Sequence, residues 1–225
     1  SVATIEELLL ASVCNTIADQ YNKEQLKVNL ESHGREEFAS DINLSQTLGW
    51  FTTEYPLIVS VPEKSDVLSL IHNVKQSVRS VQDNGLSYAC LKYLDQDYKA
   101  SFQSLAEKNP ASILFNYLGR FEHSDDHWQP QIREGYFADT FAVALQSEHK
   151  LQHELEINIF VDESDAMPQI AINWAWNGHQ FSDDEISRLN NNIESCLSRI
   201  IQSLATTSDV EQRTREAAQL TAPDI

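Results

Sequence analysis

The chain has 225 residues, 41% of them hydrophobic, and a formal net charge of −18. That much apolar material builds a real core and excludes a disordered chain. Sixteen scattered Lys and Arg against thirty-four Asp and Glu exclude nucleic acid or an anionic membrane as the partner, because either requires clustered cations. No apolar run approaches the roughly 20 residues that span a bilayer, and the first residues do not read as a leader peptide. A soluble, cytoplasmic protein is expected. Cys14, Cys90 and Cys196 are odd in number, far apart and set among apolar residues. They read as buried free thiols in a reducing compartment.

The first predicted element is a helix. Thr4 to Glu7 forms a capping box, and Ile5, Leu8, Leu9, Val13, Ile17 and Tyr21 recur at amphipathic helical spacing to about Asn22. "QLKVNL" is a short strand that runs into a polar cluster: Glu31, His33, Arg35, Glu36 and Glu37 around Gly34. Leu48 to Val61 is aromatic and β-branched and is expected as a strand, with Pro56 at an edge or bulge. Val67, Leu68, Ile71, Val74, Val78 and Val81 make a second helix. "ASILFNYLG" is a short strand that ends in Asn116 and Tyr117. Three more strands are expected, at "YFADTFAVAL", "HELEINIFVD" and "QIAINWAW"; the last alternates with period two. A capping box at Ser182 to Glu185 opens a long helix with Ile186, Leu189, Ile193, Leu197, Ile200 and Leu204 on one face. From Thr206 the apolar periodicity fades into a linker or tail. The order predicts an α/β layered domain with a mixed sheet.

Two places carry candidate chemistry. Glu31 closes an apolar strand, where a carboxylate can face a cleft; Arg35 nearby would favour its ionised form, while burial would oppose it, and an ionised, partly desolvated carboxylate is a good general base. The same residues also read as a surface turn with a structural Glu–Arg pair. Asn116 and Tyr117 could donate hydrogen bonds to a developing oxyanion, or serve as a turn residue and a core tyrosine. The "GWFT" stretch reads as core rather than as a ligand wall. Six glycines form no phosphate loop, and no GxSxG or HExxH pattern occurs. His123 and His127 lie in a polar loop with a weak metal-binding pattern, and His149 and His153 are four apart in a region read as strand. No metal site is expected.

Taken together and in order, "VNLESHGREEF", "DINLSQTLGWFTTEYPL", "NGLSYACLKYL", "SILFNYLGRF" and "LEINIFVDES" resemble the C-terminal half of an epimerization domain of a nonribosomal peptide synthetase. The resemblance covers about residues 4–205, with 206–225 as a tail toward a following module. It implies one lobe of a chloramphenicol acetyltransferase-like fold, a mixed β-sheet packed by helices. It also implies inversion at the Cα of an aminoacyl or peptidyl thioester on the phosphopantetheine arm of a peptidyl carrier protein, with no other cofactor. Carried over residue by residue, Glu31 matches the catalytic glutamate of ExHGRE and Arg35 its arginine. Asn116 and Tyr117 match those of FNYLG. His33, Trp50, Phe51 and Thr52 would line the substrate tunnel. Ser32, Ser87, Ala89 and Arg120 depart from the family's usual residues. The family's HHxxxDG motif is absent from this sequence, so a partner lobe carrying it is expected upstream of Ser1, with neighbouring synthetase modules beyond. The chain alone is expected to be inactive. The related alternatives are the matching lobe of a condensation domain, which forms amide bonds, and a non-catalytic module that recruits a carrier protein.

Overall fold

The computed structural model describes residues 3–36, 43–62, 66–108, 110–122, 152–163 and 167–220. The strand expected over residues 136–145 lies outside them, as do Glu37, His123, His127 and His149. The elements are α1 (Ile5–Gln20), β1 (Gln25–Ser32), β2 (Thr53–Ser60), α2 (Val67–Arg79), a 3-10 turn (Gln82–Gly85), α3 (Leu86–Tyr93), α4 (Lys99–Lys108), β3 (Ile113–Glu122), β4 (Leu155–Glu163), β5 (Gln169–Trp176) and α5 (Asp183–Leu220). The strands form one five-stranded sheet in the order β2-β1-β3-β4-β5. β1, β3 and β4 run parallel, and β5 is antiparallel to β4. This is the α/β class with a mixed sheet that the sequence predicts. Pro56 sits on β2, an edge strand, where a missing backbone N–H is tolerated.

Several elements depart from expectation. The 48–61 strand starts only at Thr53; residues 48–52 are loop. The reason lies in Gly34, with φ +63°, whose position is pressed against the carbonyl of Phe51: a Cβ there would fall 1.6 Å from that oxygen. The ExHGRE turn therefore occupies the space in which the strand would extend. The chain from Leu86 to Lys108, which includes most of "NGLSYACLKYL", supplies two helices that the sequence does not predict, α3 and α4. They are joined by an edge-on contact between Tyr88 and Phe102 with ring centroids 5.8 Å apart. Cys90 is exposed on α3, contrary to the buried-thiol reading, while Cys14 and Cys196 are buried. Burial pushes the Cys14 thiol up to about 12. Helix α5 runs on to Leu220, past the point where apolar periodicity fades.

The chain divides into two compact units: Ser1–Lys27, Leu57–Gln82 and Asp183–Ile225 in one, Val28–Pro56 and Asp83–Ser182 in the other. In the first, α1 packs against α5 and α2. Leu9 through Ala18 are all buried, so α1 is enclosed on every side rather than amphipathic. Its capping box forms as read: Thr4 Oγ1 accepts from the Glu7 N–H, and Glu7 Oε2 accepts from the Thr4 N–H. Glu7 is also held by Arg79 of α2 through two bonds of 2.6 and 2.9 Å. Burial opposes ionisation of Glu7, but Arg79 and the Thr4 N–H outweigh it and hold the carboxyl below its usual range.

The second unit contains the strand segments that matter for chemistry. Its two sheet faces are chemically distinct. Val28, Leu30, Phe115, Leu155, Ile157 and Ile159 are buried and apolar; Ile157 pairs with Trp174, and Ile159 with Ile172. On the alternate positions the register lines up Asn29, Leu114, Glu156 and Ala175 in one row, and Asn116, Asn158 and Asn173 in the next. Side chains alternate between faces along each strand, so these polar residues share one face.

Candidate active site

Glu31 lies at the C-terminal end of β1 and extends the second polar row: Asn116 Nδ2 donates to Glu31 Oε2 at 2.6 Å. Asn116 is thus inside a strand and engaged with the carboxylate, not part of a turn. Tyr117 follows it in a strand that continues to Glu122, so the pair is not at a strand end as read from the sequence. Pleat alternation directs Asn116 and Tyr117 to opposite faces. Just beyond them the β3–β4 register shifts between Tyr117 and Arg120, and Gly119 adopts φ +89°, a conformation that L side chains resist. The glycine of FNYLG is required by this irregularity.

Arg35 does not pair with Glu31. Its guanidinium donates to the carbonyls of Leu44 and Thr47 at 2.9 and 2.8 Å, reaches that of Gly49 at 3.4 Å, and stacks 4.4 Å from the Phe51 ring centroid. It ties down the loop over residues 44–51. The loop leaves Trp50 91% exposed, so the core reading of the aromatic stripe fails for it; Thr52 is exposed and Phe51 half-buried. His33 is exposed, accepts from the Arg35 N–H at 2.9 Å and faces Glu36 at 3.6 Å. The ExHGRE segment therefore splits into two systems, with Glu31 on the sheet and His33, Arg35 and Glu36 in the turn.

Of the two influences expected on Glu31, burial acts and Arg35 does not. Burial pushes the Glu31 carboxyl above its usual range, and the negative charges of Glu54 and Glu156 push it further; His153 opposes them. These three residues form a cluster that sequence reasoning missed. His153 is 4% exposed and sits just before β4. Its Nε2 lies 2.9 Å from Glu54 Oε1, and its Nδ1 faces Glu156 Oε1 at 3.6 Å, an ion-pair distance rather than a hydrogen bond. Asn29 Nδ2 donates to the same Glu54 oxygen and lies 3.0 Å from His153 Nε2; Gln152 donates to the other Glu54 oxygen at 3.1 Å. Burial by itself would lower the His153 pKa, but Glu156 and Glu54 overcome it and raise it to about 9, so the ring is an imidazolium at neutral pH. Burial likewise opposes ionisation of Glu54, and His153, Asn29 and Lys92 overcome it. Among the described residues no group of three or more His, Cys, Asp or Glu is placed to hold a metal, and no helix is long and apolar enough to cross a membrane.

The arrangement places a half-buried carboxylate with raised proton affinity at the end of a parallel strand, oriented by an amide and bordered by an ion cluster. The chain belongs to the condensation-domain family, whose model matches residues 1–220. It is 52% identical over 221 residues to the vanchrobactin synthetase VabF of Vibrio anguillarum, covering 98% of this chain and 8% of that protein. It is 29% identical over 211 residues to bacitracin synthase 3 of Bacillus licheniformis, covering 92% of this chain and 3% of that protein. The chain thus spans a small fraction of these relatives. Among solved structures, the epimerization domain from the third module of tyrocidine synthetase B superposes with a TM-score of 0.72 at 24% identity, over 89% of this chain and 42% of that one. The PapA2 acyl transferase superposes at 0.54 and 14% identity, over 88% and 39%. The fold is that of one lobe of this chloramphenicol acetyltransferase-like group.

Proposed function

We propose that this segment is the C-terminal lobe of an epimerization domain in a nonribosomal peptide synthetase, and that Glu31 transfers a proton at the Cα of a carrier-bound aminoacyl or peptidyl thioester. The observation that carries this reading is Glu31 itself: a carboxylate held at 2.6 Å by Asn116, half-buried, with its proton affinity raised by burial and by Glu54 and Glu156. A general base works best when its pKa approaches the working pH, and this environment moves a carboxylate in that direction. Amide-bond formation between two carriers has no need of a base on a second face of Cα. The ExHGRE and FNYLG motifs and the fold likeness to an epimerization domain support the same reading.

In this mechanism Glu31 accepts the Cα proton. The C–H electron pair moves into the thioester carbonyl to give an enolate, which requires hydrogen-bond donors. A second acid, on a partner lobe, returns a proton to the opposite face, and Glu31 releases the one it took. Asn116 orients Glu31. Tyr117 points to the opposite, apolar face of β3, in register with Ile159, and takes no direct part in this step. Arg35 is a positioning residue for the loop that carries Trp50, Phe51 and Thr52, which with His33 would border the substrate path. The phosphopantetheine arm arrives on the carrier protein as part of the substrate. Residues 206–225 would lead toward a following module.

The test is deuterium entry at the thioester Cα in heavy water, using the full synthetase with its loaded carrier. Exchange with inversion, reduced at least about 100-fold in Glu31→Gln, is expected for loss of a general base. Amide formation without exchange would assign the lobe to condensation. Carrier binding with neither activity would leave a recruiting module.

A further inference from the structure

We propose that His153 is a positioning residue: its imidazolium, clamped between Glu54 and Glu156, supplies a buried positive charge beside Glu31 and so decides how readily that carboxylate takes up a proton. The effect on rate rests on the proton-transfer role proposed for Glu31; the electrostatic coupling itself is a property of this chain.

The geometry carries the inference in three ways. First, the ring has no freedom. It is 4% exposed, its Nε2 lies 2.9 Å from Glu54 and its Nδ1 3.6 Å from Glu156. An imidazolium with both nitrogens facing carboxylates cannot lose its charge without leaving two carboxylates facing a neutral ring. Second, the cluster is tied to the strand that carries Glu31. Asn29 is two residues before Glu31 on β1, hence on the same face, and donates to the Glu54 oxygen that His153 also holds. Third, the local charge count is unbalanced. Glu31 is approached by Glu54 from β2 and Glu156 from β4, while Asn116 from β3 is neutral. Against these three carboxylates stands His153. Lys92 of α3 acts on Glu54 and lies over the rings of Tyr88 and Tyr93. Without His153, Glu31 would face two like charges in a partly dry setting, and its titration would move further up. With it, Glu31 can ionise and act as a base.

The sign follows directly. Neutralising His153 raises the Glu31 titration midpoint, because a stabilising cation is gone; neutralising Glu54 lowers it, because a like charge is gone. A residue that merely filled space would change stability and leave both midpoints alone. The experiment follows the Glu31 side-chain carboxyl by carbon-13 NMR against pH in this chain, for the wild type, His153→Gln and Glu54→Gln. An upward move in the first variant and a downward move in the second are expected. Glu54→Gln keeps the test open if His153→Gln does not fold. In the full synthetase, His153→Gln should reduce Cα exchange about tenfold on the acid side of the pH profile and leave the alkaline plateau within about twofold. Unmoved midpoints in the variants that fold would overturn the proposal even if Glu31→Gln abolishes exchange. Moved midpoints without any Cα exchange in the wild type would keep the coupling and remove the catalytic reading of Glu31.

Discussion

Two ion clusters in this molecule use the same ingredients to opposite ends. In the first unit Glu7 is bonded directly by Arg79, 40% exposed on its side chain, with Lys75 adding to the attraction, and the carboxyl sits below its usual range despite burial. In the second unit Glu54 and Glu156 hold one buried imidazolium, with Lys92 also acting on Glu54, while the carboxyl of Glu31, bonded to the neutral Asn116, is pushed up by burial first and then by Glu54 and Glu156. The Glu7 pair closes the start of α1; beside it, burial and the Glu7 charge push the Glu6 carboxyl up. The His153 cluster leaves one carboxylate short of compensation, and that carboxylate is the one at the end of β1. Burial opposes ionisation of both carboxyls; a directly bonded guanidinium reverses that at Glu7, whereas Glu31 is bonded by a neutral amide. The count of charges within reach, and which of them are directly bonded, decides which group stays proton-hungry.

The largest expected effect is at His153. His153→Leu leaves Glu54 and Glu156 without their cation and is expected to destabilise the fold by about 2–3 kcal/mol near neutral pH; this sits below the range for fully buried pairs because both carboxylates keep some water. Urea denaturation measures it. The loss should depend on pH with a definite sign. The folded pKa of His153, about 9, lies above its ordinary 6.5, so its contribution is complete below 6.5 and disappears as pH rises through about 9. Wild type and variant should converge on the alkaline side.

Arg79→Met should cause a smaller loss, since it strands one carboxylate rather than two. Its pH dependence has the opposite sense. Glu7 is depressed in the folded state, so its contribution is present above the usual carboxylate range near 4.5 and is lost as pH falls through the folded value. Here wild type and variant should converge in acid, as read by thermal denaturation from pH 7 downward. Convergence of both variants on the same side of neutrality would erase the distinction between the clusters.

The smallest expected effect has the other sign. Glu31 is raised in the folded state, so its ionisation opposes folding at neutral pH. Glu31→Gln, which can still accept from Asn116, should stabilise the fold by up to about 1 kcal/mol at pH 7 to 8. The gain should vanish at a pH where the wild-type carboxyl is already protonated. A stabilised variant that has lost Cα exchange would mark Glu31 as a residue kept at the expense of stability.

Much of the fold is legible in the sequence. The capping box at Thr4, the parallel-strand segments "KVNL" and "ILF", the alternation in "QIAINWAW" and the edge position of Pro56 all follow from period and local chemistry. So does the focus on Glu31 and Asn116, because polar residues that end or interrupt apolar runs are conspicuous. The ion cluster has a weaker signal. Asn29, Glu31, Glu54, Glu156, Asn158 and Asn173 each occupy alternate positions within strands, and read together they foretell a polar sheet face. His153 cannot be found that way: the sequence reads it as the first residue of the strand "HELEINIFVD", whereas β4 starts only at Leu155. Arg35 misleads for a related reason: four residues from a carboxylate suggests a pair, but the turn at Gly34 sends its side chain to backbone carbonyls.

Spacing along one stretch of chain is enough to specify most of the strands and helices, the mixed sheet and the carboxylate that closes β1. Only the tertiary structure decided that Glu54, Glu156 and His153 meet around Glu31, that Trp50 stands in solvent, and that Leu9 through Ala18 are enclosed on all sides. Those outcomes depend on strand order and register, which bring together residues 99 positions apart in the Glu54–His153 pair. Electrostatic coupling acts through space, and no local pattern records it.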